Sequence, residues 1–160
     1  MYLDAMEFLD EEHDAWTPFQ PLADLTDAQL EVAIPEAHGW SGRDLMAHML
    51  SWQGVALDIA RELAIGETSP TIARVDADWK TRGGEVVNDE IQATWASRPL
   101  DELRAAYRAQ PGELRGTLTV VPEARWVKHP KHMQTLEEET VDHYRDHEAD
   151  LAAILAAADR

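Results

Sequence analysis

Apolar positions recur at helical spacing through most of this chain. Tyr2, Met6, Leu9, His13 and Trp16 share one face, which predicts a first helix over residues 2–16. Pro18 and Pro21 then disturb it, and Thr26 is placed to cap a short turn ending at Leu30. The second helix has the clearest start. Ser41 is a good N-cap, Asp44 three residues on completes a capping box, and Trp40 with Leu45 fits a hydrophobic staple. It runs to about Ile65 and stops at Gly66, with Leu45, His48, Trp52, Val55 and Ile59 on its inward stripe.

Residues 66–87 carry Pro70, Gly83 and Gly84 with little periodicity, and they read as a long connection. Connections of that length often serve as lids or pocket walls, with Trp79 the side chain to watch, although an ordinary crossover between bundle helices explains the segment at least as well. A third helix covers 88–97, resumes after Pro99 and runs to about Arg108. Pro111 and Gly112 break or restart it, GELRGTLTVV at 112–121 is a candidate helical continuation, and TLTVV within it is the only strand candidate. Residues 122–134 read as a second long loop. The last helix is expected from Thr135, with Glu138 for a capping box, to Ala158. Its inward stripe is Leu136, Thr140, His143, His147, Leu151 and Ile154. Four main amphipathic helices predict an all-α chain, a four-helix bundle with long loops before helices 3 and 4. With no repeat and no linker, residues 1–160 read as a single domain.

Three histidines break the apolar stripes: His48 on the second helix, and His143 with His147 on the last. Residues four apart on a helix lie one above the other, so His143 and His147 present two imidazoles to one point. An imidazole on a core-facing stripe needs a polar partner. Three of them at one point suit zinc, nickel or iron(II). His48 lies seven residues after Ser41, and His143 eight after Thr135. Parallel helices would bring the rings to one level; antiparallel ones would need an axial offset. Three protein ligands leave coordination positions open, as a catalytic metal requires. Asp44 and Glu139, each four residues before a ligand histidine, are candidates to orient the rings, although capping or solvation explains both as well. Trp52, one turn past His48, is a candidate wall of a substrate pocket, and His13 a second pocket candidate beside the plainer reading of a hydrogen-bonded bundle end. His38, His129 and His132 sit in loop-like segments and receive no role.

Charge narrows the partners. Thirty-one acidic and 14 basic side chains give a formal net charge of -17, which repels nucleic acid and anionic membranes. The chain has no cysteine, so a disulfide, a thiolate metal site or a cysteine nucleophile is excluded. Any thiol chemistry must use an external low-molecular-weight thiol. The N-terminal stretch MYLDAMEFLDEEHD is acidic, unlike a secretion leader, so the expected location is cytoplasmic.

The elements GWSGRDLMAHMLSW and, about ninety residues later, TVDHYRDHEADLAAI resemble the DinB/YfiT-like superfamily of small helical metalloproteins. That group includes thiol transferases using bacillithiol or mycothiol and the maleylpyruvate isomerase-like domains. The tail and the tryptophan-rich middle are also similar to its ClbS/DfsB branch. The resemblance implies a four-helix bundle, a divalent metal held by His48, His143 and His147, a small-molecule substrate and frequent homodimers. The superfamily's activities are diverse, so the fold leaves the reaction open.

Three functions compete. The first is a metal-dependent enzyme in which a zinc, nickel or iron centre activates a thiol cofactor or water for transfer, isomerisation or hydrolysis, with no acid/base residue assigned. The second is a metal-independent protein that binds or sequesters a reactive small molecule. The third, least favoured, is a hydrogen-bonded histidine cluster in an acidic interaction module.

Overall fold

A computed structural model describes residues 1–159, and among them every regular element is helical. α1 (Ala5–Trp16) starts where Asp4 accepts the N–H of Glu7, 3.0 Å away. A 3₁₀ stretch (Thr17–Asp24) absorbs Pro18 and Pro21, and α2 (Asp27–Leu30) follows a Thr26–Gln29 capping box. The central element is α3 (Gly42–Ile65). Ser41 and Asp44 cap it reciprocally: the Asp44 N–H donates to Ser41 Oγ at 3.1 Å, and the Ser41 N–H to Asp44 Oδ2 at 2.9 Å. The first residue, Gly42, leaves no room for a side chain, since a Cβ there would sit 2.8 Å from Leu30 Cδ2.

α3 is buried along most of its length, because it lies between two apolar clusters and contributes to both. One gathers Phe8, Trp126 and Leu136 with the second half of α3. The other gathers Trp16, Phe19, Tyr107 and Tyr144 with its first half. α3 packs against α4, α5, α6 and the C-terminal helical run.

The segment expected as a connection over 66–87 is largely helical. Ser69 caps α4 (Pro70–Arg82), accepting the N–H of Ile72 at 3.2 Å. Pro70 occupies the first helical position, where its missing N–H costs nothing. Gly83, at φ 86°, turns the chain directly into α5 (Gly84–Ala96), an angle open to glycine at no steric penalty. The helix escaped the hydrophobic pattern because α4 buries only Thr71, Ile72 and Val75, an edge too thin to show a period.

α6 (Leu100–Leu118) likewise runs unbroken through Pro111 and Gly112. Leu103, Tyr107, Pro111, Leu114 and Leu118 form one buried stripe, and that packing outweighs the backbone hydrogen bond that proline forfeits. Thr117 and Leu118 therefore end a helix, and TLTVV is no strand.

The last helical run starts five residues earlier than expected, at Pro130 rather than Thr135. His129 caps α7 (Pro130–Glu137), its Nδ1 accepting the His132 N–H at 3.3 Å. Thr135 lies within α7, where its hydroxyl donates to the Lys131 carbonyl at 3.0 Å, and Glu138 accepts from Gln134 instead of closing a capping box. A π-helical turn (Glu138–Asp142) leads into α8 (His143–Asp146), and a break at His147 leads into α9 (Glu148–Ala158). No helix is long and apolar enough to cross a membrane among the described residues.

Candidate metal centre

Two backbone irregularities aim the C-terminal histidines. The π-turn ends at His143, and such turns re-phase a helix face. At His147 the backbone leaves helical geometry (φ −103°, ψ 7°), and its N–H donates to the Tyr144 carbonyl at 3.1 Å. His143 thus opens one short helix and His147 caps the next, rather than both lying on one face of a single rod. Across from them, α3 supplies His48 from its buried side.

The three rings converge as the sequence predicts. Their centroids form a nearly equilateral triangle: 4.8 Å for His48–His143, 4.7 Å for His48–His147 and 4.9 Å for His143–His147. The Nε2 atoms of His48 and His143 stand 2.9 Å apart, and one donor atom from each of the three rings lies within 4.8 Å of the others. Two nitrogens bound to one cation at about 2.0–2.1 Å would lie roughly 3–3.5 Å apart, so small ring rotations complete a tridentate set.

The electronic state suits the same purpose. Burial, reinforced by the neighbouring His147, pushes His48 down to about 4, against weaker opposing effects of Gln92 and Asp150. Burial also holds His143 well below the ordinary imidazole range, with His48 and His147 adding to the effect. Both rings are therefore neutral at pH 7, with lone pairs available. The Nδ1 atoms of His48 and His143 are buried without a hydrogen-bond partner. They are the only such side-chain atoms among the described residues, and an orphaned polar group costs roughly 1–3 kcal/mol. Hydrogen bonding within the protein does not account for these two rings, whereas a group of three imidazoles that could hold a metal ion does.

The third ring has its orienting partner. His147 Nδ1 donates to Asp150 Oδ2 at 2.8 Å, which leaves Nε2 as the free electron pair. Asp150 is itself buried, and its other oxygen lies 3.5 Å from Nε2 of the exposed His38. Asp44 remains a cap of α3, and no hydrogen bond joins Glu139 to a histidine among the described residues. The orienting carboxylate thus follows its histidine by three residues; the H-x-x-D spacing was its only trace in the sequence. Asp150→Asn keeps the shape and removes the charge. It is expected to weaken zinc binding by about 10–100-fold, read by competition with a chromogenic chelator. An unchanged affinity would deny Asp150 this role.

The cluster lines a cavity of about 870 Å³. Trp52 lines it, held by an N–H donation to Asn88 Oδ1 at 2.8 Å. Trp79 stands edge-on to Trp52, with ring centroids 6.0 Å apart, and lies so close over Gly84 that a Cβ there would be 2.5 Å from the indole. Of the two readings of residues 66–87, pocket wall or plain crossover, the lining matches the first, as the α4–α5 helical pair. Trp40 does more than staple α3: its ring lies against His48 and stacks on His147, at 4.8 and 5.6 Å. His13 lies elsewhere. It is exposed on α1 and does not line the cavity, because Glu12 takes the inward position, where Arg115 and Tyr144 meet it.

Glu139 lies in the cavity wall one turn before His143. Burial, with Glu138 and Asp76 nearby and only Lys131 opposing, pushes its carboxyl up to about 8. A raised folded-state value stabilises the fold fully below the unfolded value near 4.3, and that contribution is lost as pH rises through 8. Urea midpoints of chelator-treated protein are therefore expected to fall between pH 5 and pH 9, less steeply in Glu139→Gln. Equal slopes for both proteins would count against a protonated Glu139.

A family model described as the mycothiol maleylpyruvate isomerase N-terminal domain matches residues 9–152. No curated protein and no solved structure gives a significant match.

Proposed function

The chain belongs to the mycothiol maleylpyruvate isomerase N-terminal domain family, a DinB/YfiT-like helical family, and from that footing we propose that it is a metal-dependent enzyme acting on a small molecule with a low-molecular-weight thiol as co-reactant. The observation that carries this reading is the convergence of three imidazoles, those of His48 and His143 held neutral by burial, in the wall of a large cavity. His48, His143 and His147 hold the cation, which zinc or nickel suits best and iron(II) also fits. Bound there, a divalent ion supplies Lewis acidity that favours the thiolate of a thiol, or the hydroxide of water, at neutral pH.

The protein's own residues do the rest. Asp150 fixes the tautomer and tilt of His147. Trp40, Trp52 and Trp79 give the ligand apolar surfaces and keep water from one side of the reacting centre. The chain has no cysteine, so the thiol comes from solution, as the family's name favours. In this reading α1, α3, α6 and the α7–α9 run are the four rods of a bundle, α4 and α5 cover the cavity, and the protein acts as a cytoplasmic homodimer.

Elemental analysis of the purified protein tests the proposal, together with the absorbance of a thiolate in the near ultraviolet. One divalent ion per chain is expected, and with cobalt substituted a thiol should generate a charge-transfer band. A protein that takes up no zinc, nickel or iron at neutral pH would end the reading.

A further inference from the structure

The outer part of the cavity has a sign. Asp76, Glu85, Asp89, Glu138 and Glu139 line it from α4, α5 and the π-turn. Lys80 and Lys131 are the lysines in the same lining, and Lys131 is paired with Asp76 at 3.0 Å. The aromatic surfaces face the same space: Trp52, almost fully buried, and Trp79, half exposed.

Glu139 differs from most of the other carboxyls that are shielded from solvent. Glu12 accepts from Arg115 and Tyr144, at 2.8 and 2.9 Å. Asp150 accepts from His147. Glu62, partly buried, accepts from Thr71 at 2.8 Å and also from Ser69. Glu139 is half-buried, and no donor reaches it among the described residues. The wall therefore holds a carboxyl to which the protein offers no donor, beside indole faces that attract cations. Burial keeps that carboxyl mostly protonated at neutral pH, and a bound cation would favour its ionised form.

We propose that this cavity takes a ligand bearing an alkylammonium group, held between the Trp52–Trp79 pair and the carboxyls of Glu138 and Glu139. As a statement about substrate, it rests on the functional reading above. A donor atom of the ligand points inward to the histidines, and its positive end points outward. A second negative group at the outer end meets the field of the surrounding carboxylates. Substrates that are anionic at both ends are thereby disfavoured, and amine-bearing or quaternary ones are selected.

Benzyltrimethylammonium, benzyl alcohol and phenylacetate share a ring and differ in charge, and the quaternary cation has no lone pair with which to ligate a metal. Each is titrated into the full chain, metal-stripped and zinc-loaded, with calorimetry and tryptophan fluorescence as readouts. The cation is expected to bind about tenfold more tightly than the alcohol, by cation–aromatic and carboxylate attraction. That preference should shrink in about 0.5 M salt, where the rim charges are screened. Glu139→Gln should weaken the cation severalfold and leave the alcohol nearly unchanged, and Trp79→Leu should weaken the cation severalfold more than the alcohol.

Phenylacetate binding stripped protein as tightly as the cation overturns the inference. So does equal binding of cation and alcohol, no binding of any probe, or indifference to both substitutions. Zinc uptake by the same samples is scored separately. Cation binding without zinc uptake removes the proposed enzyme but leaves a cation site; zinc uptake without cation preference removes only the present inference.

Discussion

His143→Ala is expected to abolish tight zinc binding. Outer-shell partners alone are worth about 10–100-fold in metal affinity, so loss of a direct ligand should exceed about 100-fold. Two imidazoles would remain, and no other His or carboxylate joins them in a metal-holding group among the described residues. Stability gives a second reading. Wild-type protein with free zinc at a hundredfold over its Kd should gain about 2.7 kcal/mol, and the variant almost none. Without metal the variant should be as stable as the wild type, or slightly more so, because the substitution deletes a buried Nδ1 that has no partner. That combination separates a metal ligand from a packing residue, whose loss would destabilise the metal-free protein as well. Retention of one tightly held ion per chain in the variant would refute the three-histidine centre.

Arg115→Met should produce the largest loss of stability. Glu12 is fully buried, and its carboxylate accepts from Arg115 Nη1 at 2.8 Å and from the Tyr144 hydroxyl at 2.9 Å. Gln53 donates in turn to that hydroxyl at 2.8 Å, which ties α1, α3, α6 and α8 to one buried polar chain. Removing one partner of a buried pair costs about 3–5 kcal/mol, and Arg115 is partly exposed, so the lower end applies. For a domain of this size that is a Tm drop of about 6–12 °C.

The effect should depend on pH in a definite direction. Burial already raises the Glu12 carboxyl above its usual range, with Arg115 the main opposing influence. Without the guanidinium it rises further. The folded state then keeps a proton that the unfolded chain releases above about pH 4.3, and stability falls as pH rises through the folded value. The penalty of Arg115→Met should therefore be small near pH 4 and large at pH 8. Glu12→Gln in the same chain should recover much of it at pH 8. A pH-independent loss, or no recovery in the double variant, would show that Arg115 acts only through packing.

The sequence made much of this molecule legible. The Ser41–Asp44 box and Gly66 bounded α3 to the residue, because capping is chemistry local to one turn. The three converging histidines were equally visible, since polar rings on apolar stripes stand out wherever the stripes lead. Elements whose stability comes from neighbours were not. α4 reads as a connection because it leans a single edge on α3 and has no full stripe of its own. Pro111 reads as a break, since its lost hydrogen bond is local and the packing that outweighs it is not. The π-turn at Glu138–Asp142 left no mark in the pattern at all, although it sets the phase of His143.

By itself, then, the sequence determined an all-helical chain, the limits of its longest helix, its charge, the want of any internal thiol and the identity of three nitrogen donors. Those follow from periodicity, capping and side-chain chemistry, which act over a few residues. Only the tertiary structure decided that the donors meet, that Asp150 rather than Asp44 or Glu139 steadies one of them, and that Glu12 rather than His13 turns inward. It also brought α4 and α5 over the cavity and left Glu139 there without a donor. Each of these depends on which distant groups share a desolvated space, and in such a space a partner's presence or absence changes the free energy by more than any local preference does.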